Sequence, residues 1–232
     1  MSWMLTFSSN SSVLNTDYFP PIELNDRNAS YVIGLVDFQT YNSIPNVDET
    51  NNKFYFGHDE QVIVIPEGAY EIEDLEHYIS KQLKAVDPGI VFKLVPNVNT
   101  LKCELKCTMP INFGPDDSIG RLLGFGKDEI LQPDKTHQSD KSVNIMSVNT
   151  IQIVCNIVSG GYINNEPNHT IFHFSPNLPP GYKIVIHPSN VIYLPVNIQT
   201  INNITLSIRD QCGRLVNFRG ETITIGLHLK KL

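Results

Sequence analysis

The sequence contains no run of eighteen apolar residues, so no segment is long and apolar enough to cross a membrane as a helix. Its opening, MSWMLTFSSNSS, has no basic segment ahead of a long apolar one, and no secretory signal is expected from it. On that expectation the Asn-x-Ser/Thr sequons at Asn10, Asn28, Asn168 and Asn203 are chance matches in an Asn-rich chain. Cysteine is scarce: Cys103, Cys107, Cys155 and Cys212 are spaced for neither a zinc site nor a disulfide framework. Cys103 and Cys107 lie four apart in a segment of strand character. That places them about 13 Å from each other, beyond disulfide reach. All four read as buried thiols of a reducing compartment. Positive charge is also short, with 17 Lys and Arg against 24 Asp and Glu and a net charge of −7. Coating nucleic acid requires a basic surface to displace phosphate counterions, and the pair Lys230 and Lys231 does not make one.

The usual signatures of catalysis are missing as well. There is no Gly-x-Ser-x-Gly elbow, no phosphate-cradling glycine loop and no dinucleotide fingerprint. His169 and His173, four apart, would be separated by about 13 Å on a strand and are poorly placed to share a metal. The close His-x-His and following Glu of metal-binding cupin jelly rolls do not occur. Glu71, Glu73, Asp74 and Glu76 crowd the start of a predicted helix, where the helix dipole accounts for them. Asp116, Asp117 and Asp134 read as solvated loop carboxylates. No catalytic residue, cofactor or metal site is expected, and the chain is not expected to be an enzyme.

What the sequence does contain is period-2 alternation. Near the end, Ile204, Leu206 and Ile208 alternate with Thr205, Ser207 and Arg209. After a turn-rich stretch, Ile223, Ile225, Leu227 and Leu229 alternate with Thr222, Thr224, Gly226 and His228. Such runs predict strands with one face on a core, so Ile204, Leu206, Ile208, Ile223, Ile225 and Leu227 should be buried. Upstream, β-branched and aromatic runs predict strands at 31–41, 53–56, 61–65, 90–95, 101–108, 170–174, 182–186 and 191–196. The longest such run spans 143–158.

Two helices interrupt this pattern. Ile72, Leu75, Ile79 and Leu83 recur at three and four, and Asp87-Pro88-Gly89 ends that stripe. A shorter helix has Ile119, Leu122 and Leu123 on its apolar side, Asp117 or Ser118 as cap and Gly124 as stop. The charged stretch 126–142 predicts a mobile surface loop. Residues 1–24 are polar with spaced aromatics at Trp3, Phe7, Tyr18 and Phe19, and read as an N-terminal arm, partly disordered or docked on a neighbour. The remainder, 25–232, reads as one domain. The fold class is all-β: a single jelly-roll β-sandwich of about eight antiparallel strands in two sheets, with two short helices in the connections.

Five stretches taken together resemble a known family. They are FQTYNSIPNVDETNNKFYF (38–56), IPEGAYEIEDLEHYI (65–79), SIGRLLGF (118–125), PPGYKIVIHPSNVIYLPV (179–196) and IRDQCGRLVNFRGETITIGLHLKK (208–231). Their order resembles the minor capsid, or penton, protein of Polinton/Maverick elements, virus-like DNA transposons related to adenoviruses and virophages. The resemblance implies a single jelly-roll domain that assembles as a homopentamer at the fivefold vertices of an icosahedral capsid. It also implies a partner, the double jelly-roll major capsid protein, and a place in the virion, assembled inside the host cell. It implies no catalytic residues and no direct contact with nucleic acid. Adenovirus pentons carry a large inserted receptor-binding domain, for which this chain is too short.

Candidate subunit contacts follow from the residues. Trp3, Phe7, Tyr18 and Phe19 would dock the arm on a neighbour. Arg209, Arg214 and Arg219 sit with Asp210 and Glu221 around the last turn, as an ion-pair network within the turn or between subunits. Residues 210–221 are expected to cross between sheets as an end loop. The alternative is a secreted or surface jelly-roll binding module of the C1q/tumour-necrosis-factor or lectin-like type, which would form trimers and require a secretory route.

Overall fold

Alternation becomes strands over most of the chain in the computed structural model, which describes residues 1–24, 29–127 and 129–232. The sequon at Asn28 lies outside the described residues. In chain order, β1 (Ser2–Ser9), β2 (Val13–Glu23) and β3 (Tyr31–Tyr41) come first. There follow β4 (Lys53–Phe56), β5 (Gln61–Val64), helix α1 (Ile72–Val86), β6 (Phe92–Asn97) and β7 (Lys102–Cys107). Next are β8 (Ile111–Asn112), helix α2 (Gly120–Leu123), β9 (Ile130–Leu131) and β10 (Thr136–Gln138). The chain then continues through β11 (Ile151–Cys155), β12 (Gly161–Ile163), β13 (Glu166–Asn168) and β14 (Thr170–Phe174). It closes with β15 (Lys183–Ile186), β16 (Leu194–Val196), β17 (Thr200–Asp210) and β18 (Ile223–Lys231). Where the sequence pointed to one domain over 25–232, the chain forms two compact units. The first comprises Met1–Ile44 with Val148–Leu232, and the second is Pro45–Ser147.

The first unit is a pair of antiparallel sheets sharing one core. One sheet has the order β1-β18-β3-β15, with β16 also on β3; the other has the order β14-β11-β17-β2. Leu5, Phe7, Ile33, Phe38 and Ile225 from the first sheet bury against a core that also holds Ile153, Ile171, Leu206 and Ile208 from the second. All six residues expected to be buried in the closing pair are fully buried. The two closing strands belong to different sheets, and each is flanked by a strand on either side.

Gly34 marks the middle of β3. A β-carbon there would stand 2.5 Å from Val191 Cγ1 and 2.8 Å from the Ile192 carbonyl oxygen, because segment 191–193 lies directly on the strand.

Residues 1–24 are neither a disordered arm nor a strap reaching outward. They form β1 and β2, paired along their lengths with β18 and β17. The reason is visible in the side chains. Leu5, Phe7 and Leu14 point into the core, while the polar Ser, Thr and Asn residues that suggested a tail occupy the water-facing positions between them. A half-exposed strand needs only every second residue to be apolar.

The second unit has its own core. Helix α1 buries Ile72, Leu75, Ile79 and Leu83 in a cluster shared with Phe92, Leu94 and Leu105 of the β6–β7 hairpin. Its acidic start is structural: the Glu71 N–H donates to Asp74 Oδ2 at 3.1 Å. Phe54 anchors the rest, with Phe92 at 5.5 Å and Phe113 at 6.2 Å in edge-on arrangements.

Three local expectations are corrected here. Neither Asp117 nor Ser118 caps α2. Ser118 Oγ donates to the Phe113 carbonyl at 3.1 Å, and Ile119 takes the cap position. Gly124 does end the helix, with φ at 85°. The stretch 126–142 is not one loop, since β9 pairs with β8 and β10 with β7, anchored by the buried Leu131. The run 143–158 contains one strand only, β11, because it crosses the boundary between units. Val143 and Ile145 pack on the second core, while Val148 and Ile151 belong to the first.

Candidate assembly surface

Edges are where a sandwich offers backbone to a partner, and the first unit has them at both sides. β1 and β2 are edge strands of their respective sheets on one side, and β14, β15 and β16 lie at the edges on the other. Their sequences differ, so the two sides are chemically distinct.

The β2 edge is interrupted by a wide bulge. Ile201 of β17 pairs with Ile22 and Asn203 with Asp17, so residues 18–21 of β2 all stand opposite Asn202. Pro20 and Pro21, within that bulge, have no N–H to offer a further strand. The chain is pushed out here, and Phe19 is 100% exposed. Tyr18 turns the other way and packs partly buried against the core; burial, with the Cys155 sulfur nearby, pushes its phenol above the usual range.

The remaining aromatic candidates are not surface groups of the same kind. Phe7 is only 2% exposed and is a core residue. Trp3 is half-buried, its ring 6.3 Å from that of Tyr31. Of the four aromatics named from the sequence, Phe19 alone is fully open to solvent.

Two of the three arginines, Arg209 and Arg214, bond within the turn that joins β17 to β18, beside a carboxylate that the sequence reading treated as one charge among several. Asp210 is 3% exposed. Its Oδ1 accepts the Cys212 N–H at 2.8 Å and the Arg214 N–H at 2.9 Å, while Oδ2 accepts Arg214 Nε at 2.8 Å. Burial pushes the Asp210 carboxyl up, but these bonds from Arg214 and Cys212 outweigh it and hold it below the usual carboxylate range. Arg209 closes the same turn, donating Nη1 to the Gly213 carbonyl at 2.8 Å and Nε to Ser207 Oγ at 3.1 Å. Arg209 and Arg214 are thus committed within the turn, and Arg219, with φ at 53°, is exposed. The loop lies at the β1–β2 turn, since Ser12 Oγ donates to the Val216 carbonyl and the Ile208 N–H donates to Ser12 O at 2.8 Å. Trp3, at the far end of β1, is not part of this cluster.

Several polar groups elsewhere have structural partners. Asp117, read as solvated, accepts Lys53 Nζ at 2.7 Å and the Tyr55 hydroxyl at 2.8 Å. Those two bonds, from Lys53 first, hold its carboxyl below the usual range. Asp116 pairs with Lys127 at 2.9 Å. Cys103, Cys107 and Cys155 are buried and Cys212 is exposed. Burial pushes the Cys103 and Cys155 thiols up to about 11. Among the described residues, no group of three His, Cys, Asp or Glu side chains is close enough to hold a metal ion. No helix among them is long and apolar enough to cross a membrane.

The sequence reading also missed an open recess of about 390 Å³ beside the bulge, lined in part by Asn156, His169, Asn197 and Asn202. Single amides scattered over 47 residues give no linear signal.

Comparison with solved structures finds a likeness over the whole chain. The crystal structure of the mavirus penton protein matches it with a TM-score of 0.52 and 14% identity, covering 100% of this chain and 100% of that one. At that identity the likeness is one of fold. The D2–D3 domains of the flagellar cap protein FliD from Escherichia coli match with a TM-score of 0.17 and 16% identity, over 91% of this chain and 100% of that one. A score that low bears on nothing further. No protein-family model matches the sequence, and no curated protein does.

Proposed function

We propose that the chain is a penton-type capsid protein: a jelly roll, built by the first unit, that forms homopentamers at icosahedral vertices. The observation that carries this reading is the likeness to a mavirus penton protein across the full length of both chains, the inserted second unit included.

The strand order supports the jelly roll. The eight main strands of the first unit are β1, β2, β3, β11, β14, β15, β17 and β18. A jelly roll is a long hairpin folded at its midpoint and rolled up, so the first strand should pair with the eighth, the second with the seventh, the third with the sixth and the fourth with the fifth. The pairs β1:β18, β2:β17, β3:β15 and β11:β14 are all present. Rolling should then set the eighth strand beside the third and the seventh beside the fourth, and β18:β3 and β17:β11 are present too.

A closed ring joins one face of each subunit to a different face of the next. The two unlike lateral sides suit such a seam, with the β1–β2 side and its Phe19 meeting the neighbour's β14–β15 side. In this reading the arginine loop lies at the end of the sandwich, where Arg219 is the candidate contact. The role is structural rather than catalytic. The partners are further copies of the chain and a double jelly-roll major capsid protein, and the location is the virion capsid.

Sedimentation of the wild type and of Phe19→Asp tests the seam. Because Phe19 is fully exposed, the substitution should change stability by less than about 0.5 kcal/mol, while a charge buried in each seam should reduce a pentamer to monomers. A pentamer that persists in Phe19→Asp removes the bulge from the interface. A wild type that sediments as a trimer contradicts the vertex reading in favour of a ligand-type module.

A further inference from the structure

The recess beside the β2 bulge is walled by the turn that follows β11, by His169, by Asn197 and Ile198, and by the first residues of β17. Its lining contains no Asp, Glu, Lys or Arg. An anionic ligand would therefore give up its hydration with no cation in the lining to meet it, and the carboxylate that touches the lining, Asp17, is already bonded to Asn203 at 2.7 Å. What the lining offers is amides, hydroxyls and one imidazole, with apolar wall from Ile198, which is 39% exposed.

Several of these groups are held in place by one bond and left with another to give. Asn156 Oδ1 accepts the Thr205 N–H at 2.9 Å, which fixes the amide and leaves its Nδ2 donors unengaged among the described residues. Ser159 Oγ donates to the Pro195 carbonyl at 3.3 Å, so it must accept from Asn197 Nδ2, 2.7 Å away. That bond leaves Asn197 Oδ1 as an open acceptor among the described residues. His169 Nδ1 bonds to the Val158 carbonyl. A carbonyl can only accept, so Nδ1 carries a proton, and in that tautomer Nε2 is the acceptor. The lining thus carries both donors and acceptors with bonding capacity left, beside the apolar Ile198.

We propose that this recess binds a neutral sugar, a hexose unit of a glycan. A sugar hydroxyl both donates and accepts, matching the mixture of Asn156 Nδ2, Asn197 Oδ1 and His169 Nε2. The C–H face of the ring fits against Ile198. The volume lies within the range of small-molecule pockets. This inference does not rest on the capsid reading: it concerns one recess of the first unit, whatever the chain assembles into.

The test is saturation-transfer NMR on the full chain. Methyl glycosides of glucose, mannose, galactose and N-acetylglucosamine serve as probes, with glucose 6-phosphate and free N-acetylneuraminic acid as charged controls. Saturation transfer to at least one neutral glycoside is expected, with no transfer to the phosphate. An Asn156→Ala/Asn197→Ala variant should weaken that binding at least tenfold, with its sedimentation unchanged. If the pair perturbs folding, Asn202→Ala at an exposed strand position provides a second variant, expected to weaken binding and leave the melting temperature in place. Transfer to no neutral glycoside, preference for a charged control, or binding undiminished in the folded variants would overturn the proposal. So would a variant that binds no differently but changes the mass of the assembly, since the recess would then belong to a subunit seam.

Discussion

Alanine at Phe54 is expected to destabilise the second unit by about 3–5 kcal/mol, the cost of emptying a large buried aromatic site. Phe54 is fully buried on β4, and its ring meets Phe92 of the β6–β7 hairpin at 5.5 Å, Phe113 at 6.2 Å and Phe56 at 6.4 Å. The hole would therefore open where the small four-stranded sheet and the hairpin share their core, and those backbones are tied together by the side chains that would be lost. Loss of transfer free energy and loss of edge-on ring contacts both act in the same direction. Hydrogen exchange reads the result by location: amides of α1, β6 and β7 should lose protection together. Val64→Ala is the control on the same sheet. Val64 is 56% exposed on the outer face, and its loss should change stability by about 0.5 kcal/mol or less. A Phe54→Ala variant within 1 kcal/mol of the wild type, by the scale of core aromatic deletions, would contradict the core described here.

The second large effect is at Asp210. Removing its carboxylate with Asp210→Ala leaves the N–H groups of Cys212 and Arg214 without the acceptor they share and removes the ion pair between Asp210 and the Arg214 guanidinium. A loss of about 3 kcal/mol is expected, from the cost of orphaning donors that were bonded to a charged group. Arg214→Ala should cost less, about 1 kcal/mol or below, since the arginine end of the pair is exposed. The pH dependence has a definite sign. The folded carboxyl titrates below its unfolded value of about 3.9. Its contribution is therefore complete above that value and disappears as pH falls through the folded one. Urea midpoints of wild type and Asp210→Ala should differ most at neutral pH and converge as pH drops below about 4. A constant gap down to pH 2 would mean that the charge of Asp210 contributes nothing to the turn.

Much of the first unit was legible because its long strands β3, β17 and β18 are rich in apolar and β-branched residues. β3 begins and ends at Tyr31 and Tyr41 as its composition indicates, and the closing strands bury the residues their alternation selects. Helix α1 was equally plain from its three-and-four spacing. The same rule, applied more strictly, would have found β1 and β2. Leu5, Phe7 and Leu14 alternate with polar residues, but summed composition masked the alternation and suggested a tail. The division into two units was hidden for a related reason. Both units are made of alternating strands, and the boundary at 147–148 falls inside an uninterrupted β-like run.

Surface features were harder. Phe19 was one of four aromatics named as docking groups, and its exposure depends on a bulge that only the pairing with β17 reveals. Asp210 looked like one member of a charge cluster. Its burial comes from the turn folding back on it, with Leu215 bridging to Arg209. Asn156, His169, Asn197 and Asn202 are brought to one recess by three separate segments, and no spacing in the sequence records that meeting.

The central claim is that this chain assembles as a ring of five. Native mass spectrometry of the purified chain tests it most directly: the vertex reading predicts a species of five times the 26.1 kDa chain mass. A species of three chains, or a monomer that stays monomeric when mixed with the double jelly-roll capsid protein proposed as its partner, would contradict it.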